Sequence, residues 1–479
     1  MSQSKPASAK TGKPSSGVDA RPAGALTVTA LILLFAAGAL HWILFYQQGD
    51  MSFQAHDWGK EFIYYSVLRQ SMTTGDVPYH ISTAFHGTNR FLALPETNLS
   101  PQVLLLPLMS VGSFVLVNTL IMYAIGFVGC LIIRNRYQLS MIAFTLLFLL
   151  FNFNGHITAH LGVGHSMWAG YFLLPFFFLS ILELAEGRFS RTSAVKLAFV
   201  LFLIVLQGSL HIYVWCLVFL ILLMAFNWHL LKPILFSIVA SVLLSSFRLL
   251  PAISSLWGKK EKFIWSYPTF RDLLDALVTI RQQTPDRLRP WGTPGWWEHD
   301  MYIGILGVVV IAYFGIYLRF RKKPELEGYE YKAFDLPLMV MAVLSISYFH
   351  AFLTRLPIPI VRAERVATRF IILPVLMLSI ISSVRMQRLL GMIRQTFKLR
   401  LAAVLALAIM ALSFVDHSYL WSIPRLERIF RTKAVDLTIP AIISVQDPVY
   451  KTLVPASAVL SLIAGVALLY LGLRGRRRC

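Results

Sequence analysis

Long apolar runs, repeated along the whole chain, limit the possible folds more than any other feature of this sequence. A helical run of about 18 or more apolar residues matches the thickness of a bilayer core. The chain has 479 residues, of which 57% are hydrophobic and only 14% charged, whereas roughly a quarter are charged in a soluble protein. The sequence therefore predicts an all-α, polytopic membrane protein.

We predict about twelve spans, with both termini in the cytoplasm, in a multi-pass protein of a bacterial inner membrane. The stretch 193–227 decides the count, because as one helix it would measure roughly 50 Å, too long for a core of ~30 Å. Two short helices with a turn at Gln207-Gly208-Ser209 also keep the basic clusters on one side. The predicted spans are 25–46, 109–133, 137–153, 165–185, 193–209, 210–227, 230–252, 301–319, 336–353, 367–384, 401–417 and 454–473.

The formal net charge is +21, but the basic residues stand in short clusters between the apolar runs. This arrangement is typical of the positive-inside rule and of contact with anionic lipid headgroups. We therefore expect membrane lipids as partners and no nucleic acid. Most of the remaining ionisable and aromatic side chains fall in the predicted outer loops 47–108, 153–165, 253–300, 354–367 and 418–453.

The first outer loop contains the stretch His56–Phe62, in which Asp57 and Glu61 are one helical turn apart. Asp57 could be a catalytic base or simply the N-cap of the helix that follows, and the two roles do not exclude each other. That helix has an apolar stripe and is suited to lie flat in the membrane interface. The stripe consists of Trp58, Phe62, Tyr65, Leu68 and Met72.

Three histidines in the second outer loop, His156, His160 and His165, are spaced by four and five residues. They could bind a metal ion or contact a phosphate or sugar, and we favour the phosphate or sugar. Ordinary hydrogen bonding at the interface is the more common role of such histidines. The glycines among them argue against a regular helix here. These glycines are Gly155, Gly162 and Gly164.

Arginines on the predicted outer side break the positive-inside trend and so require a reason. Arg362, Arg365 and Arg369 have spacings of three and four, so they could share one helical face. Guanidinium groups bind phosphate in a forked geometry. A phosphate or diphosphate site is favoured, and pairing with Glu364 and lipid headgroups is the alternative.

The fourth region of interest is the loop 253–300, which holds a second amphipathic segment at 270–282 and ends in a cluster of tryptophans. Trp297 and Glu298 could form a sugar platform, since apolar sugar faces stack on aromatic rings. An aromatic belt at the membrane surface is the more common use of such tryptophans.

In this order, the acidic first loop, the His/Gly loop, the Trp/Glu segment and the Arg-rich loop leading into Arg369-Phe370 resemble the GT-C superfamily of membrane glycosyltransferases. The resemblance is architectural, covers roughly residues 25–385, and extends more loosely to the bacterial YfhO-like members. Composition predicts a disordered, basic, cytoplasmic tail at 1–23. The resemblance marks 24–385 as a GT-C-like transmembrane module, and 386–479 would hold the C-terminal transmembrane helices with outer loop 418–453 and a basic cytoplasmic tail.

The resemblance implies transfer of a hexose or pentose from a polyprenyl-phosphate donor to a glycan, lipid or protein on the outer face. By this resemblance Asp57 matches the family's first-loop catalytic carboxylate, and from the chemistry of the residues themselves we expect Glu61 to support it. Substrate and phosphate contacts would come from His56, His160, His165, Arg362, Arg365, Arg369, Trp297 and Glu298.

No cofactor or metal ligand is assigned, although a divalent cation such as Mg²⁺ or Mn²⁺ could take part. The sequence leaves the oligomeric state open. Two alternatives also stay open, a flippase for lipid-linked sugars and a non-catalytic subunit of an envelope assembly complex. A flippase usually carries polar residues at the midplane of the membrane.

Overall fold

The computed structural model describes residues 24–186, 191–257, 265–280, 295–320, 332–356, 364–392, 396–430 and 437–476. The predicted tail 1–23 and Arg362 lie outside these residues. The first helices are α1 (Ala25–Phe45), α2 (Trp58–Thr74), α3 (Val111–Tyr137), α4 (Met141–Asn152), α5 (Gly155–Gly162), α6 (Leu174–Ala185), α7 (Arg191–Leu206), α8 (Leu210–Phe226), α9 (Leu231–Leu244) and α10 (Ser246–Leu256). They are followed by α11 (Phe270–Val278), α12 (Gly304–Val310), α13 (Lys332–Leu344), α14 (Ile372–Met392), α15 (Phe397–Trp421), α16 (Ile423–Phe430) and α17 (Pro448–Arg476).

Shorter helical pieces connect these elements. Helix α12 continues through a π-helical segment, Ile311–Tyr317, into Leu318–Phe320. The 3-10 segments are Gln47–Gly49, Phe91–Ala93, Pro101–Leu108, Ser166–Leu173, Trp228–Leu230, Trp296–Glu298, Phe349–Arg355 and Ala367–Ile371.

Within the described residues, seven helices are long and apolar enough to cross a membrane, which agrees with an all-α membrane protein. They are Ala25–Phe45, Val111–Tyr137, Met141–Gly162, Ser166–Ala185, Ala367–Met392, Phe397–Trp421 and Pro448–Leu473. A further pair, Trp228–Leu244 and Ser246–Leu256, would be an eighth span but is bent by 76°. The count of about twelve spans stays a prediction, because the remaining apolar helices are shorter.

The predicted division of 193–227 into two helices is confirmed, since α7 ends at Leu206 and α8 begins at Leu210. Gly208 between them has a φ of +78° and its Cα lies close to the backbone of Glu96. A side chain at this position would be strained and would meet the backbone oxygen of Glu96. The predicted span 336–353 differs from the structure, because α13 ends at Leu344.

A small antiparallel sheet joins the first outer loop to the C-terminal region and was not predicted. It has the order β2-β1-β3, with β1 (His80–Phe85), β2 (Thr88–Arg90) and β3 (Ile442–Ile443). Beside it, Asp447 accepts hydrogen bonds from Arg90 Nε at 2.7 Å and Arg90 Nη2 at 3.1 Å. This forked pair fixes the start of α17 against the loop that follows α2.

Helix α2 forms where the sequence predicted it, but residues off its predicted apolar stripe are buried as well. Glu61, Tyr64 and Val67 lie off the predicted stripe and are nevertheless buried. The first half of α2 is therefore enclosed by other elements rather than half-exposed at an interface. The second predicted amphipathic segment forms α11, which buries Leu273 and Ala276.

The expectation that the second outer loop is irregular is wrong. Gly155 and Gly162 are the first and last residues of helix α5, and every residue of this helix is buried. Asn154 caps it by accepting a hydrogen bond from the N–H of Ile157 at 3.3 Å. The glycines serve close packing here, because the Cα of Gly155 lies against the carboxylate of Asp300 and the backbone of Tyr302.

Asp300 holds α15 against this region from within the core. Its Oδ2 accepts hydrogen bonds from His417 Nε2 at 2.9 Å and from Trp421 Nε1 at 2.7 Å. Its Oδ1 accepts from the N–H of Tyr302 at 3.0 Å. A buried carboxylate is tolerated only with such partners, so Asp300 fixes the relative positions of α5, α15 and the segment before α12.

We predict that Gly155→Ala destabilises the protein by about 1–3 kcal/mol, because the added methyl group overpacks the contact with Asp300. The midpoint of thermal unfolding in detergent measures the effect. Gly391→Ala is the matched control, since a Cβ there would meet nothing within 4 Å and should be neutral or stabilise by up to ~1 kcal/mol. Equal midpoints for the two variants would contradict the packing argument.

Candidate functional site

One cavity of about 290 Å³ brings together most of the predicted site residues. It lies between segments from four of the predicted outer loops and the turn at 207–209. Predicted residues on its wall are His56, Asp57, His165, Trp297, Glu298, Arg365 and Arg369. Glu61 and His160 lie immediately behind this wall, in contact with its members.

Asp57 occupies the N-cap position of α2, but its side chain makes no capping hydrogen bond. Its N–H donates to the carbonyl of Val163 at 3.0 Å. Gly164, the residue after Val163, has a φ of +92° and packs directly against the backbone of Trp58. The backbone thus anchors Asp57 to the turn after α5, which leaves its carboxylate free to face the cavity with 37% of the side chain exposed.

Three basic groups surround the Asp57 carboxylate. His165 Nε2 lies 3.4 Å away, His56 Nδ1 lies 3.4 Å away, and Lys60 Nζ lies 3.3 Å away. Burial alone would raise the pKa of Asp57, but the hydrogen bonds from both histidines and the charge of Lys60 hold it well below its usual range. Asp57 is therefore ionised at any physiological pH.

Glu61, one helical turn after Asp57, is protonated rather than ionised near neutral pH. Burial raises its pKa to about 8, against the opposing effects of the Lys60 charge and a hydrogen bond from Ser166. Ser166 Oγ donates to Glu61 Oε2, and Tyr65 in turn donates to Ser166 Oγ at 2.9 Å. Glu61 thus keeps a proton near neutral pH and stands behind Asp57 without adding a second negative charge.

Glu298 and Arg369 form a buried, forked ion pair. Arg369 donates from Nε to Oε2 at 2.7 Å and from Nη2 to Oε1 at 2.6 Å. Burial would raise the pKa of Glu298, but the charge of Arg369 and its hydrogen bonds lower it to about 2. The guanidinium also lies over the ring of Trp168, 4.8 Å from its centre, which is a favourable cation–π contact.

Two of the predicted histidines contact each other directly. His160 Nδ1 and His165 Nδ1 are 2.7 Å apart, and Trp168 stacks on His160 with ring centres 4.4 Å apart. His160, His165 and Glu298 each offer a ligand atom, and these atoms lie within 4.8 Å of one another. These three residues are therefore the group that could hold a metal ion.

The remaining predicted residues, His56, Trp297 and Arg365, all line the cavity. The ring of His56 packs edge-on against Trp297, with centres 4.1 Å apart, so the tryptophan lies beside the residue that precedes Asp57. Arg365 lines the cavity but precedes the helical segment 367–392. The expectation that Arg365 and Arg369 share a helical face is therefore wrong.

Sequence reasoning missed a Glu–His pair that also lines the cavity. Glu364 is buried and accepts hydrogen bonds from His211 Nδ1 and Trp215 Nε1, both at 2.7 Å. His211 lines the cavity. Its position just after the turn at 207–209, on the predicted outer side, was the available signal. Glu364 was considered only as a partner for arginines.

Lys60 and Glu96 were also missed as site residues. The Lys60 ammonium pairs with the carboxylate of Glu96 and, at 3.3 Å, with Asp57. Both residues line the cavity. The charges of Glu96 and Asp57 raise the pKa of Lys60 well above its usual range, although burial opposes this. Lys60 is therefore a permanent cation that partly balances the two carboxylates.

The arrangement can bind a polar, partly anionic ligand and present an ionised carboxylate to it. The fixed basic groups can offset developing negative charge, and Trp297 offers an aromatic face beside the carboxylate. A comparison with protein-family models, curated proteins and solved structures finds no match to this chain. The site must therefore be interpreted from its own chemistry.

We predict that Glu61→Gln changes how stability depends on pH. The pKa of Glu61 is raised from 4.5 to about 8 in the folded state, so the folded state retains a proton that the unfolded chain loses. Stability should therefore fall as pH rises from about 4.5 to 8 and stay reduced above it. In Glu61→Gln this fall should be smaller, with the variant gaining most over wild type at pH 8–9.

Thermal unfolding midpoints of both proteins between pH 5 and 9 measure this effect. Asp275→Asn is the control, because Asp275 is half-exposed and remote from the cavity lining, so its profile should follow the wild type. Parallel curves for wild type and Glu61→Gln would mean that Glu61 does not hold a proton in the fold.

Proposed function

We propose that this chain is a GT-C-type membrane glycosyltransferase that uses a polyprenyl-phosphate-linked sugar on the outer face of a bacterial cytoplasmic membrane. One observation carries the proposal. Loops that the topology predicts to be outside meet at a single cavity, and a carboxylate held ionised faces into it. A cavity of about 290 Å³ is at the small end of ligand sites, which suits a sugar headgroup with its lipid chain left in the membrane.

The reaction that we propose is direct displacement at the anomeric carbon. The acceptor hydroxyl oxygen attacks this carbon, the bond to the phosphate oxygen breaks, and the electron pair leaves with the phosphate. The hydroxyl proton passes to Asp57. The phosphate is already an adequate leaving group, so no acid is required on that side.

The low pKa of Asp57 makes it a weak base, which is compatible with this chemistry. A hydroxyl becomes strongly acidic once its oxygen has begun to bond to an electron-poor carbon, so a weak base can accept the proton late in the reaction. The same ionised carboxylate would stabilise positive charge that develops on the sugar. General-base assistance is typically worth about 10²–10⁴ in rate.

Basic groups around the cavity would stabilise the phosphate that departs in this reaction. Arg365 and Arg369 line the cavity with Asp57, and cationic donors of this type stabilise a departing phosphate. Arg369 is held rigidly by its two hydrogen bonds to Glu298. A preorganised donor loses little conformational entropy on binding the anion.

We predict that Asp57→Asn lowers donor turnover by about 10²–10⁴-fold, because the amide cannot accept the proton. The assay uses purified protein in nanodiscs with a panel of radiolabelled hexosyl and pentosyl polyprenyl phosphates, with and without acceptor. Slow donor hydrolysis counts as turnover. Asp76→Asn is the matched control, since Asp76 lies in the same outer loop but is exposed and not in the cavity lining.

Asp57→Asn should bind the donor and unfold at a temperature close to that of wild type, which would assign its defect to the chemical step. Wild-type turnover by a folded Asp57→Asn protein would exclude Asp57 as the base. Donor binding by wild type without turnover of any sugar would instead favour the flippase.

A further inference from the structure

We propose that His160, His165 and Glu298 bind one transition-metal ion, of the zinc type, in the wall of the cavity. The inference concerns these side chains alone and does not depend on glycosyl transfer. Their ligand atoms lie within 4.8 Å of one another, and all three residues are buried.

The clearest sign is an unused nitrogen. His160 Nε2 is buried and has no hydrogen-bond partner among the described residues. It faces Glu298 Oε2 at 3.9 Å, which is too long for a hydrogen bond. A buried polar atom without a partner costs about 1–3 kcal/mol. A metal ion with bonds of about 2.0 Å to nitrogen and to carboxylate oxygen can bridge such a gap.

The number of N–H groups available to these residues also indicates an ion between His160 and Glu298. Asp57, His165, His160 and Glu298 form a row with three contacts, at 3.4, 2.7 and 3.9 Å. Two neutral imidazoles carry only one N–H each, so at least one of the three contacts has an acceptor at both ends. The longest of them is the one between His160 and Glu298. A cation placed there would turn two facing acceptors into two ligands.

The donor types select the metal. Two imidazoles and one carboxylate form one of the ligand sets of catalytic zinc sites, which keep a further position open. Mg²⁺ and Ca²⁺ prefer oxygen ligands, so the nitrogen-rich set argues against Mg²⁺ as the resident ion. Ligands around one zinc ion lie roughly 3.3 Å apart, so ligand atoms that are now up to 4.8 Å apart would have to approach one another by up to about 1.5 Å.

Several features of the surroundings favour ligation, and His165 would exchange its contact with Asp57 or with His160 for the ion. Arg369 holds the Glu298 carboxylate through one hydrogen bond to each oxygen, and each oxygen retains a second lone pair. Ligating carboxylates are commonly hydrogen-bonded in this way. Trp168 stacks on His160 and fixes its ring. His165 and Glu298 also line the cavity, so an ion held there could take a ligand from that side.

Metal binding by purified protein in detergent tests the inference. The protein carries an affinity tag without histidines, is stripped with chelator, and is then given Zn²⁺, Co²⁺ or Mg²⁺ before desalting. Elemental analysis by mass spectrometry gives the retained metal, and visible absorption of the Co²⁺ form reports nitrogen ligation and low coordination number. We expect about one Zn²⁺ or Co²⁺ per chain, little Mg²⁺, and a Zn²⁺-dependent rise in the unfolding midpoint.

His160→Ala and His165→Ala should each weaken Zn²⁺ binding by about 100-fold or more and abolish the shift in the unfolding midpoint. Either variant suffices if the other fails to fold. His86→Ala is the matched control, because His86 lines the same cavity but is outside the group, and it should bind Zn²⁺ like wild type. Failure of wild type to retain Zn²⁺ or Co²⁺, or equal retention by a folded His160→Ala protein, would overturn the inference.

Discussion

The buried ion pair between Glu298 and Arg369 is the interaction on which the rest of the cavity depends. Removing two charges from water costs several kcal/mol per ion, and only good geometry with further hydrogen bonds can offset that cost. Here both carboxylate oxygens are matched by the fork of the guanidinium, at 2.7 and 2.6 Å. The Thr368 hydroxyl also donates to the backbone carbonyl of Glu298. Together these bonds attach the Trp297 turn to the 3-10 segment Ala367–Ile371 that leads into α14, so two segments far apart in sequence form one wall.

A series of direct side-chain contacts connects this ion pair to Asp57, the carboxylate that we propose as the base. Arg369 lies over Trp168, Trp168 stacks on His160, and His160 contacts His165, which reaches Asp57. Each side chain in this series restricts the next one. Arg369, Trp168, His160 and His165 are buried. Such a wall is preorganised, which matters because a charged group that must reorganise during a reaction stabilises the transition state less.

The sequence predicted apolar helices long enough to span a membrane, and most of the residues it predicted for the site lie at the cavity, because apolar length and clustered polar residues are local signals. The sequence alone could not predict which polar side chains and glycines the tertiary fold encloses. Glu61 was placed on a polar face, yet other elements cover that face. Gly155 and Gly162 looked like helix breakers, yet they permit α5 to pack tightly against Asp300 and α15. The pairing of His211 with Glu364 joins residues 153 positions apart, a contact that only the tertiary fold determines.

The opposite pKa shifts of Asp57 and Glu61 follow from unequal solvation and hydrogen bonding around one cation. Asp57 receives two histidine contacts and keeps some exposure, whereas Glu61 is enclosed, with Oε1 unpaired among the described residues. Lys60 already serves Asp57 and Glu96, so it cannot balance a third negative charge at 3.9 Å as well. A proton on Glu61 resolves this conflict. It also limits negative charge beside a cavity that, in our proposal, must admit a phosphate, because an ionised Glu61 would repel that ligand through a poorly screened environment.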